Sequence, residues 1–147
     1  MGLKARGSKN SLKTRQNASS VESFLSTVKH SVRAQDARTT CQLMESVTLE
    51  KPKMWGKSIV GFGSYHYVGA GGREGDWPLV GFSPRQSALS IYCMPGFKDL
   101  KKELSALGPH KHSVGCLYLA DLSQNNLKAL KNIIAKSVKI MKKRYGV

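Results

Sequence analysis

The chain has 147 residues, 40% of them hydrophobic, with 24 lysines and arginines against 9 acidic residues and a formal net charge of +15. That length suits one domain with a core of its own, and that composition excludes a wholly disordered chain. The charge favours polyanionic partners, such as nucleic acid or an acidic protein surface, and disfavours a cation-collecting role.

Most of the excess charge sits at the ends. Residues 1–20 contain Lys4, Arg6, Lys9, Lys13 and Arg15 and no acid, and residues 122–147 contain six lysines and Arg144 and no acid. Residues 1–20 are rich in Ser, Asn, Lys and Arg and read as a flexible basic tail, which leaves 21–147 as the domain. Cys41, Cys93 and Cys116 are scattered and form no CxxC pair, which points to reduced thiols in a cytoplasmic protein. No apolar run approaches the roughly 18 residues of a membrane span. The polar start lacks a signal-peptide core, and Arg6 breaks the myristoylation pattern.

In chain order, Ser19 or Ser20 caps a helix whose apolar face is Val21, Phe24, Leu25, Val28 and Val32. Asp36 caps a second helix, marked by Leu43, Met44 and Val47 and closed at Lys51-Pro52. From Ile59 the period shortens to that of a strand, bent at Gly61 and Gly63, with Phe62, Ser64 and His66 on one face and Tyr65 and Tyr67 on the other. "GAGGREGD" reads as a hairpin loop, "WPLVGFSP" and "SALSIYCM" as the next strands, "GFKDLKKELSAL" as a short helix and "CLYLADL" as a last strand. Ser123 caps the final helix. Its stripe is Leu127, Leu130, Ile134, Val138, Met141 and Tyr145, with Lys128, Lys136, Lys139 and Lys143 opposite. The sum is an α+β domain with a mostly antiparallel sheet packed against helices.

Four blocks then stand out: Met54-Trp55-Gly56; Gly63-x-Tyr65-His66-Tyr67; Gly72-Arg73-Glu74-Gly75-Asp76-Trp77; and Gly81-Phe82-Ser83-Pro84. Together with "LSIYCMPGF" and "CLYL" they resemble the YdhG-like family, a domain of unknown function, over about residues 21–145. The resemblance implies a frataxin-like sheet backed by helices and, for at least one relative, an intracellular iron chaperone. The chain departs from the family at "GPHKHSVGCLY", where Pro109 and Val114 replace two expected lysines and only His110 and Lys111 remain for an anion.

Iron needs hard oxygen ligands. Glu22, Asp36, Glu45 and Glu50 are spread along the first two helices, so Glu74 and Asp76 are the candidate metal ligands. His110-x-His112 with Cys116 is the one soft-metal constellation, and it reads as a surface loop. No GxSxG, P-loop, HExxH or Rossmann fingerprint is present.

The aromatic residues point to a ligand site with Trp55 and Trp77 on its rim, Tyr65 and Tyr67 beside them and Lys57 and Arg73 at its mouth. Gly71–Pro84 reads first as a hairpin anchored by Trp77 and second as that rim. Polyanion contacts fall to Lys4, Arg6, Lys9, Lys13, Arg15, Lys136, Lys139 and Lys143. The functional expectation is a non-catalytic module for a small ligand or an acidic partner. The alternatives are an iron chaperone of frataxin type and weak nonspecific nucleic-acid binding through the basic ends.

Overall fold

The structure, a computed structural model, describes residues 14–147. The strands are β1 (Gln16–Asn17), β2 (Lys53–Trp55), β3 (Ile59–Phe62), β4 (Tyr65–Val68), β5 (Glu74–Trp77), β6 (Val80–Pro84), β7 (Leu89–Tyr92), β8 (Lys111–His112) and β9 (Cys116–Leu119). The helices are α1 (Val21–Ser26), α2 (Ser31–Thr48), α3 (Lys101–Leu107) and α4 (Leu127–Tyr145). Seven strands form one sheet in the order β1-β2-β3-β6-β7-β9-β8, every pairing antiparallel, and β4-β5 form a separate two-stranded ribbon. The α+β class expected from the pattern is the class found.

Strand alternation divides the sheet into two faces. The row Met54, Val60, Phe82, Ile91, Leu117 crosses five strands, and each of these residues belongs to the main core. The helices pack on that face, α2 against β3, β6 and β7, and α4 against β6, α2 and α3. Ala129, Leu130, Ile133, Ile134, Ser137, Val138 and Met141 form the buried stripe of α4, while Leu127 is exposed.

The caps differ from expectation in two places. Ser20 does cap α1, accepting from Ser23 N at 3.0 Å. Asp36 does not cap α2. It lies within that helix, buried, and accepts from Leu122 N at 2.9 Å, while His30 is the cap. Asn126 rather than Ser123 caps α4, because Leu122–Gln124 form a separate 3₁₀ turn headed by Asp121. A side-chain cap is a local competition, and tertiary contacts decide which polar residue wins it.

The boundary at residue 20 also moves. Gln16 and Asn17 pair with Trp55 and Met54, Gly56 N donates to Arg15 O, and Asn17 Nδ2 donates to Gly56 O. Residues 16–20 are therefore part of the domain. The Glu74–Trp77 segment is a strand rather than loop, since its backbone finds ladder partners in β4.

Candidate functional site

The ribbon tests the first candidate. Tyr65 opposes Trp77, His66 opposes Asp76 and Val68 opposes Glu74. Tyr65, with Leu79 and Met141, forms a second small core against which Tyr67, Trp77, Met94 and Tyr145 pack. The Tyr65 and Tyr145 rings lie 4.4 Å apart, and burial pushes the Tyr65 phenol up to about 12. Trp77 Nε1 donates to the Met94 sulfur at 3.0 Å, and its ring meets Trp55 edge-on at 6.2 Å. Trp55 is 1% exposed, so the expected rim tryptophan is a core residue. It lies over Gly61, where an added Cβ would stand 2.6 Å from the indole and from Pro78. Lys57 and Arg73 are exposed, and none of Trp55, Lys57, Tyr65, Tyr67, Arg73 and Trp77 lines any of the cavities of 450, 600, 510 and 280 Å³. The aromatics expected around a mouth instead pin the ribbon to the body.

Glu74 and Asp76 pair with neither each other nor Arg73. His66 stands between them, with Nδ1 3.0 Å from Asp76 Oδ1 and Nε2 2.9 Å from Glu74 Oε1. The hydrogen bond to Asp76 first, and that to Glu74 second, raise the His66 pKa above its ordinary value. The two ring nitrogens point at different carboxylates, so the three side chains do not converge on one point. Among the described residues no group of three or more His, Cys, Asp or Glu side chains is arranged to hold a metal ion. Two of the helix carboxylates have other partners: Glu22 takes both Arg38 nitrogens at 2.8 Å, and Asp36 holds Leu122 N. His110 and His112 stack at 6.1 Å, and His112 lies on Phe97.

The sheet face opposite the helices carries the better site. Two rows of paired residues cross it: Ser83, Ser90, Tyr118, Lys111, and Lys53, Gly61, Gly81, Tyr92, Cys116. None of them belongs to the main core. Arg85 leaves the end of β6 and donates from Nη2 to the Tyr92 hydroxyl at 3.5 Å. That hydroxyl first, with Cys116 and Tyr118 further off, holds the guanidinium pKa above its ordinary value. Tyr118 exchanges a hydrogen bond with Ser113 Oγ at 3.3 Å. In the floor, Ser83 is 1% exposed and its hydroxyl has no partner. A buried hydroxyl without a protein partner is costly, and Ser83 lines the cavity of about 510 Å³.

Next to these residues a cavity of about 450 Å³ opens between the β6–β7 turn and the loop before β8. Ala88, His110, Lys111, Tyr118, Ala120 and Asp121 line it. His110 and Lys111, the two residues left to the family-like loop, thus border a real concavity. Tyr92 and Tyr118 lie in the strands expected at "SALSIYCM" and "CLYLADL", whereas no local pattern marks Arg85. The alternation of Ser90 with Tyr92 and of Cys116 with Tyr118 was the available signal.

The thiols divide by depth. Burial pushes Cys93 up to about 12 and Cys41 up to about 11, so both are inert, while Cys116 is half-buried beside Tyr92. Of the expected polyanion contacts, Lys4, Arg6, Lys9 and Lys13 lie outside the described residues. Arg15, Lys139 and Lys143 are exposed, whereas Lys136 is tied to the nearly covered Glu103 of α3. Among the described residues no helix is long and apolar enough to cross a membrane. The chain matches no family model, no curated protein and no solved structure.

Proposed function

We propose that this protein is a non-catalytic binding module whose site is the sheet face left free by the helices, and that it takes an anionic ligand with a planar ring. The observation that carries the reading is the Arg85 guanidinium bound to Tyr92, in the strand next to that of Tyr118, whose register partner is Lys111. Aromatic faces accept a flat ring, and an adjacent guanidinium and ammonium accept its negative group. Asp121, the one acid on the cavity wall, is turned to the Ser123 amide at 2.9 Å. The assignment to the YdhG-like family is part of the proposal and rests on the four motif blocks.

Titration with adenosine monophosphate, followed by the ring signals of Tyr92 and Tyr118, tests the reading. Arg85→Ala and Tyr118→Ala should each weaken binding by about tenfold, or about 1.4 kcal/mol, at an unchanged melting temperature. Wild-type affinity in both variants, or signals that move only at the ends of the chain, would overturn it.

A further inference from the structure

A second cavity, of about 510 Å³, lies where the α1–α2 connection meets the β6–β7 turn. Phe24, Val28, Lys29, His30, Arg33 and Pro84 are on its wall, and no Asp or Glu is. It sits at the N-terminus of α2, an 18-residue helix with no acid in its first turn. The unpaired amides there carry partial positive charge. His30 Nδ1 accepts from Arg33 N at 3.1 Å, which leaves Nε2 for a ligand.

Arg33 supplies the independent observation. It is 5% exposed. Its Nη1 donates to Arg85 O at 2.6 Å and Gln86 O at 3.1 Å, its Nη2 donates to Ala120 O at 3.2 Å, and its Nε has no partner. All three acceptors are neutral carbonyls. Asp36, one turn on, is engaged by Leu122 N, and no carboxylate of the described residues stands within 4.0 Å of Arg33. A buried charge held only by carbonyl dipoles keeps part of its desolvation cost, and an opposite charge would offset more of it.

We infer that this cavity is an anion site for a phosphate monoester with an aromatic or aliphatic body. Lys29, the α2 amides and the Arg33 guanidinium receive the phosphate, and Phe24, Val28 and Pro84 receive the body. The cavity adjoins the free sheet face and shares Ser83 and Arg85 with it, but Tyr92, Lys111 and Tyr118 do not line it.

Titration with phenyl phosphate, followed by backbone amide chemical shifts, is the test. The Lys29, Ser31 and Val32 signals should move at millimolar ligand or below. The double variant Lys29→Ala/His30→Asn keeps a capping side chain and should weaken binding about tenfold or more, or about 1.4 kcal/mol, at an unchanged melting temperature. Tyr118→Ala should leave this binding intact, which separates it from the sheet-face reading. Benzoate should bind more weakly than phenyl phosphate, and so should inorganic phosphate. Inorganic phosphate binding as tightly would overturn the apolar half of the assignment. Silence at the α2 amides, or equal affinity in the double variant, would overturn the site.

Discussion

His66 lies between Asp76 and Glu74 on the outer face of the ribbon, and both of its ring nitrogens can donate only when the ring is charged. Its pKa is therefore raised, with Asp76 the larger cause. A raised folded-state value means that the stabilisation is fully present below the unfolded pKa of about 6.5 and is lost as pH rises through the higher folded value. A proton NMR titration should place the His66 midpoint above about 6.5. Asp76→Asn should lower it more than Glu74→Gln does. A midpoint unchanged by either substitution would show that the carboxylates do not hold the ring. The tryptophans differ by the same logic of surroundings. Trp55 is fully covered, and truncating a buried aromatic to Ala costs about 3–5 kcal/mol, whereas Trp77 is only half-buried.

The elements show how local signals and tertiary pairing divide the work. α4 carries a long apolar stripe and is recognisable from its period alone, but its start depends on a cap. Asn126 Oδ1 accepts from Ala129 N at 3.1 Å, while Ser123 lies in the preceding turn. Asn126→Ala should cost about 1 kcal/mol of stability by denaturant titration and Ser123→Ala much less than that. The reverse order would place the cap at Ser123. β1 and β8, two residues each, have no period to read. β1 exists because the backbone of β2 presents an unpaired edge, and residues 16–17 satisfy it.

Over the whole molecule the +15 charge is more than a tally, because the fold neutralises some cations and leaves others exposed. Lys136 is held by Glu103, and Arg38 is held by Glu22. Lys139, Lys143 and Arg144 on α4 are exposed. Binding to heparin or a short duplex should fall steeply with salt, since phosphate or sulfate contacts release counterions. The triple variant Lys139→Ala/Lys143→Ala/Arg144→Ala should flatten the salt dependence by about 0.9 per lost contact on duplex DNA, while Lys136→Ala should leave it unchanged and lower the melting temperature. A slope indifferent to the triple variant would place polyanion binding elsewhere.

What the sequence determined by itself was the set of elements with a strong period, α4, β6, β7 and β9, and with them the α+β class and the apolar face of the sheet; the first two helices divide differently from the expectation, since Val28 and Val32 fall outside α1 and α2 begins at Ser31 rather than Asp36. Periodicity is a local property, and burial of one stripe or one strand face is enough to write it into the chain. The chain's glycines also marked the turn between β4 and β5, but Gly71–Pro84 is not itself a hairpin: it runs from that turn through β5 into β6, which belongs to the other sheet. Only the tertiary structure decided the rest. It broke the bent strand at Gly63, where φ is +65°, into β3 of the sheet and β4 of the ribbon, and it set Tyr65 against Leu79 and Met141 with Trp77 packed beside them, in keeping with the anchor reading of Trp77. It set Arg85 on Tyr92 and left Arg33 among neutral carbonyls. The Arg33 placement joins residues 52 positions apart, which no local pattern encodes, whereas Arg85 and Tyr92 are 7 apart across one hairpin. Which strands become neighbours follows from closing the whole core at once, and the side chains of the two candidate sites are positioned by that closure.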